Sequence, residues 1–116
     1  MTSDRLSLPP FKSRVLPVIV VTDPAQAVPL AHALLAGGID VMEITLRHSA
    51  GLPAISEIAR HVPQMHVGAG TVTQAAEMVR VQEAGATFAL SPGMTEALLQ
   101  AAHDCQLPFI PGAMTP

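Results

Sequence analysis

Lysine occurs once in this chain, at Lys12, cysteine once, at Cys105, and tyrosine and tryptophan not at all. A single cysteine excludes an intrachain disulfide and fits a reducing, cytoplasmic compartment. With three Phe as the only aromatics, any core must be built from aliphatic side chains. Charge is also scarce, at 13% of the residues and a formal net −3. The six Lys and Arg are spread singly rather than clustered, which argues against a nucleic-acid surface. Long apolar runs are missing too: Leu16–Val21 is far short of the ~20 residues of a membrane span. The first fifteen residues hold no apolar stretch ahead of a small-residue cleavage site, so a secretory signal is not expected. Neither nucleic acid nor membrane is therefore expected as a partner. What is abundant is apolar side chain, 49% of the 116 residues, which excludes a disordered chain.

The apolar residues are organised. Residues 1–14, with Pro9-Pro10, read as a polar tail or short leading helix. Strand-like runs follow at Leu16–Val21, Ile39–Thr45, Met65–Gly68, Thr87–Leu90 and Pro108–Ile110. Ala- and Leu-rich segments fall between them, at Pro24–Ala36, Pro53–His61, Gln74–Ala84 and Thr95–Asp104. Alternating strands and helices imply parallel pairing. Asp23-Pro24-Ala25-Gln26 has the form of a helix start, with Asp at N-cap and Pro at N1. Thr71-Val72-Thr73-Gln74 offers a second start in which either Thr could cap. Pro29 falls inside the first helical pattern and should kink the helix or end its first turn. No GxGxxG follows the first strand, so the repeat favours an α/β fold of the (β/α)8 TIM-barrel type over a dinucleotide-binding sheet. Four βα units and the start of a fifth are present, so residues 15–116 are expected to be the N-terminal half of such a barrel.

In a barrel the active site lies at the C-terminal ends of the strands. That rule selects Val21-Thr22, Glu43–Arg47, Gly68–Thr71, Ser91–Gly93 and Pro111-Gly112. Glu43 stands out, as a carboxylate inside an otherwise apolar strand. Burial there is costly unless the group is paired or functional, and it raises the pKa into a range useful for proton transfer. The competing reading is a Glu satisfied by Arg47 or by backbone donors. Arg47, read as ending the same strand, could bind a substrate carboxylate as a bidentate fork. Gly68-Ala69-Gly70-Thr71 could cradle an anion, or be glycine-rich for steric reasons alone. The five His show no metal-binding spacing.

Taken together, five motifs closely resemble the 2-keto-3-deoxy-6-phosphogluconate (KDPG) and 4-hydroxy-2-oxoglutarate (KHG) aldolases. They are Pro17–Val21, Gly37–Arg47, Val67–Val72, Phe88–Gly93 and Ile110–Gly112, in that order. The resemblance implies a class I aldolase on a short (β/α)8 barrel, usually trimeric, with no cofactor and no metal. Its substrates would be keto acids, pyruvate and KDPG. It implies that Glu43 acts as general acid/base through water and that Arg47 binds pyruvate's carboxylate. Thr71 and Pro92 would line the pyruvate site. It also implies a Schiff-base lysine on a sixth strand, whereas the single lysine here precedes the first. The 116-residue chain is therefore expected to be inactive alone. Two other readings remain at this point: a metal-dependent pyruvate aldolase built on Glu43 and His48, and a non-catalytic half-barrel acting as a binding or assembly module.

Overall fold

Five parallel strands pair in the order in which the chain makes them, β1 (Val18–Ile19), β2 (Val41–Thr45), β3 (His66–Gly70), β4 (Ala89–Ser91) and β5 (Phe109–Pro111). The computed structural model describes residues 9–93 and 95–111. Between the strands run α1 (Ala27–Ala36), α2 (Gly51–His61), α3 (Ala75–Ala84) and α4 (Glu96–Asp104). Each helix packs on the next, α1 on α2, α2 on α3 and α3 on α4. Sequential strand order with one continuous helix layer is the wall of a (β/α)8 barrel, of which four full units and a fifth strand are present.

Register fixes which side chains face which layer. Ile19, Ile44, Ala69, Ala89 and Phe109 form one row across all five strands, packed into the apolar layer under the helices. Met42 and Val67 extend that layer, and Ile55, Ile58, Met78 and Val81 meet it from α2 and α3. All six are 1% exposed or less. Successive strand residues point to opposite faces. The neighbouring row, Val18, Glu43 and Gly68, therefore turns to the other side, the interior side of a barrel wall.

The helix starts follow capping chemistry. The Asp23 carboxylate accepts from Ala25 N at 3.0 Å and caps a 3-10 turn, Pro24–Gln26, that leads into α1. Pro29 falls in the first turn of α1, where a missing N–H costs no intrahelical bond, so the helix begins late rather than kinking. At α3 neither Thr71 nor Thr73 is the N-cap. Gln74 is, and the Glu77 carboxylate reaches back to the N–H groups of Thr73 (2.9 Å) and Gln74 (3.1 Å). A carboxylate three residues into the helix satisfies two orphan donors, which neither threonine hydroxyl does here.

The leading segment is tied to the N-terminal ends of the strands. Asp40, just before β2, accepts from the backbone N–H of Lys12 (2.8 Å) and of Ser13 (2.9 Å). Phe11 rests against His66 at the start of β3, with ring centroids 6.4 Å apart. Residues 9–14 form no helix, and residues 1–8 lie outside the described residues. No helix among the described residues is long and apolar enough to cross a membrane.

Candidate active site at the strand tops

Glu43 lies at the centre of β2 and is 6% exposed. Its side chain leans toward the C-terminal end of the sheet and lies over Gly70 of β3, two residues beyond its own register partner Gly68. A Cβ placed at Gly70 would meet the Glu43 Oε2, Cδ and Cγ atoms, so the absence of a side chain there is what makes room for the carboxylate. Gly68 makes room differently: a Cβ there would strike the ring of Phe88, which is 1% exposed. The glycines of the third strand are thus two seats, one for an aromatic ring and one for a carboxylate.

Burial is the dominant influence on Glu43 and raises its pKa, while the positive charge of Arg47 acts in the opposite direction. The ion pairs among the described residues are those of Glu57 with Arg60 and His61 on α2, so Arg47 influences Glu43 without pairing with it. The satisfied-structural reading of Glu43 therefore lacks its partner among the described residues. Arg47 itself is not on the strand. β2 stops at Thr45, Leu46 N still reaches Gly70 O at 2.9 Å, and Arg47 then sits exposed in the turn before α2. The positive charge of Arg47 is close enough to act on Glu43.

Thr71 follows Gly70 directly and has φ of 60°. A β-branched residue in the left-handed region is strained, and such strain collects at sites where the surrounding structure holds it. Its neighbour Val72 fixes the backbone by donating to Leu90 O at 3.0 Å. Glu43, Gly70 and Thr71 are thereby gathered at one point, within the field of Arg47. Pro92 stands apart from them, exposed after β4. It lines a shallow pocket of about 260 Å³ with Thr73, Ser91, Gly93, Thr95 and Leu98. Gly112 lies outside the described residues.

His48 is engaged locally, its Nδ1 accepting from Ala50 N at 3.0 Å ahead of α2. No three His, Cys, Asp or Glu side chains gather into a potential metal site among the described residues. Sequence reasoning did not single out Thr45, whose Oγ1 is buried and has no hydrogen-bond partner. Period-two spacing from Glu43 was the signal that could have found it.

Known proteins sharpen the picture. The family model for the KDPG and KHG aldolases matches residues 11–116. The chain is 52% identical over 101 residues to the KHG/KDPG aldolase of Escherichia coli, covering 87% of this chain and 47% of that protein. Its structure superposes on the KDPG aldolase of Legionella pneumophila, solved with pyruvate captured as a covalent carbinolamine intermediate. The TM-score is 0.84 at 44% identity, over 89% of this chain and 50% of that one. The KDPG aldolase of Zymomonas mobilis, solved with 3-phosphoglycerate, matches with a TM-score of 0.80 at 44% identity, over 87% of this chain and 48% of that one. The chain spans about half the length of the curated relatives it matches.

Proposed function

The chain belongs to the KDPG and KHG aldolase family, and on that premise we propose that it carries the proton-transfer and carboxylate-binding half of a pyruvate-forming class I aldolase. The whole enzyme would cleave 2-keto-3-deoxy-6-phosphogluconate to pyruvate and glyceraldehyde 3-phosphate, and 4-hydroxy-2-oxoglutarate to pyruvate and glyoxylate. An enzyme amine adds to the keto carbonyl and loses water, giving a protonated imine. The C3–C4 bond then breaks, its electron pair moving into the imine to form an enamine. The C4 hydroxyl proton passes through water to Glu43, which later returns a proton to the enamine carbon, and water then hydrolyses the restored imine to release pyruvate and the free amine. Arg47 and Thr71 would hold the substrate carboxylate, and Pro92 would border the site.

One observation carries this reading: Glu43 is a buried carboxylate with a raised pKa, seated over a glycine at the strand tops. A carboxyl group that is protonated more readily than usual can take a proton and give it back near neutral pH. The amine is not Lys12. Its backbone is tied to Asp40 at the opposite end of β2, and a strand of five residues separates the two faces by roughly 16 Å. We place that amine on a strand outside this chain, so the 116 residues alone are inactive. The single cysteine and the absence of basic clustering favour a cytoplasmic enzyme acting on small keto acids, and the family resemblance favours a homotrimer.

The test is a graft. Residues 11–111 replace the matching segment of the Legionella pneumophila relative, which supplies the remaining strands. The graft should cleave KDPG, and Glu43→Gln within it should lower turnover by roughly 10²- to 10⁴-fold. Wild-type turnover with Gln at position 43 would remove Glu43 from the mechanism. A second reading, an assembly module, draws on the exposed Val18 (63%) and Val20 (49%) at the open β1 edge. An inactive graft together with dimers of the isolated chain would favour it.

A further inference from the structure

Two polar groups lie side by side in an apolar wall, and neither has a partner among the described residues. Thr45 is 1% exposed, and its Oγ1 makes no hydrogen bond. Glu43 is two residues earlier on β2, so both side chains leave the same face of the strand. The Glu43 carboxylate lies over Gly70, and Gly70 is the register partner of Thr45. Paired parallel strands are about 4.8 Å apart, so the carboxylate occupies the position adjoining the Thr45 side chain. A buried hydroxyl without a partner is unfavourable and calls for a reason, because valine would fill the same volume with no polar atom.

We infer that Thr45 is the positioning residue for Glu43: rotation about its χ1 turns the hydroxyl to donate to the ionised carboxylate and holds it over Gly70. The inference rests on the proposed role of Glu43 as proton carrier. When Glu43 is protonated, it no longer needs that donor and the hydroxyl is released. When Glu43 is ionised, the hydroxyl is an uncharged donor on the same face of β2, able to stabilise it. Elsewhere around the carboxylate, β3 presents Gly68 and Gly70, β1 presents Val18, and Phe88 stands just before β4. The turn after β2 contributes Arg47, the one charge found to act on Glu43 among the described residues. His66 sits at the far end of β3, beside Phe11. Any change in Glu43 titration on altering Thr45 is therefore separable from the effect of Arg47.

The experiment uses the 116-residue chain itself. The side-chain carboxyl of Glu43 is followed by ¹³C NMR against pH in wild type, Thr45→Val and Thr45→Ser, with Glu43→Gln assigning the resonance. Thr45→Val should raise the Glu43 midpoint further, by about one to two units, the shift expected from losing one hydrogen bond to the charged form. Thr45→Ser, which keeps the hydroxyl, should titrate as wild type. At low pH, where Glu43 is protonated, Thr45→Val should also be at least as stable to urea as wild type, because it deletes an unsatisfied polar atom. An unchanged midpoint in Thr45→Val, or an equal shift in Thr45→Ser, overturns the inference. Should Thr45→Val not fold, the Ser variant alongside Thr45→Ala gives the same comparison. Loss of the aldolase reading would instead appear as wild-type turnover of the Glu43→Gln graft, a result independent of these titrations.

Discussion

Gly68 and Gly70 occupy alternate positions on one face of β3, and alanine at each should give opposite results. At Gly68 the new Cβ meets the Phe88 ring at Cε2, Cζ and Cδ2. That ring is 1% exposed and has nowhere to retreat. Overpacking of this kind costs about 1–3 kcal/mol, partly offset by up to about 1 kcal/mol from the stiffer unfolded chain. At Gly70 the obstructing atoms all belong to the Glu43 side chain, including Cδ at 2.6 Å and Cγ at 2.8 Å, and that side chain ends in a movable carboxylate. Neither glycine has positive φ, so alanine brings no backbone strain at either position. Gly68→Ala should therefore lose roughly 1–2 kcal/mol in urea unfolding, net of the two effects. Gly70→Ala should stay within about 1 kcal/mol of wild type. Gly70→Ala should instead move the carboxylate toward solvent, bring the Glu43 midpoint down toward an ordinary carboxylate value and abolish turnover in the graft. In a Glu43→Ala background the second alanine should cost nothing, and the cycle measures the coupling. A Gly70→Ala variant with an unchanged Glu43 titration would refute the seat.

The remaining predictions concern the same strand tops. Because burial raises the Glu43 pKa above its unfolded value, the folded state holds the proton more tightly. That contribution is fully present below the unfolded pKa and is lost as pH rises through the folded one. Glu43→Gln should therefore be more stable than wild type at neutral pH and converge with it at low pH, as read by thermal melts across pH. Arg47→Ala should raise the Glu43 midpoint, since Arg47 opposes the effect of burial. In the graft it should also weaken pyruvate binding at least tenfold, the scale of a charge-assisted hydrogen bond of about 1.5–3 kcal/mol; an unchanged KM in the condensation direction would return Arg47 to the surface. Thr71→Gly should relieve the strain of φ 60° and gain about 1 kcal/mol in urea unfolding while lowering pyruvate affinity, so equal stability would mean the strain is absent. Asp40 is held below the usual carboxylate range by the backbone donors of Lys12 and Ser13. Its hold on the leading segment is present above the unfolded pKa and is lost as pH falls through the folded one, and Asp40→Asn should expose the Lys12 and Ser13 amides to hydrogen exchange.

Much of this arrangement is legible from residue order alone. The five strands and four helices fall where alternating apolar runs and helix-start signals put them, because that periodicity records what each element buries. The ends are less legible. β1 shrinks from the apolar run Leu16–Val21 to Val18–Ile19, since it pairs with β2 alone. β3 runs on to Gly70, where the poor strand propensity of glycine suggests a stop at Gly68. The reason lies on other strands, in Phe88 and Glu43, and a cross-strand requirement leaves no mark in the local sequence. α2 begins at Gly51, two residues before Pro53, with no side chain capping it, so no capping signal announced it. Glu43 could be singled out because a charge in an apolar strand is conspicuous. Thr45 is marked only by its period-two spacing from Glu43, because threonine is an ordinary strand residue until its hydroxyl proves to be unpaired.

In the proposed mechanism these 116 residues bring the proton carrier and the carboxylate site to a reaction whose amine comes from elsewhere in the barrel. Pyruvate and borohydride test it directly, with mass spectrometry mapping the reduced adduct in the isolated chain and in the graft. The account predicts no adduct on the isolated chain. Lys12 is exposed and held at the wrong end of β2, away from the strand tops. It predicts a stoichiometric adduct in the graft, on a lysine of the segment supplied by the relative. An adduct on Lys12, or a folded graft that traps no pyruvate, would contradict it.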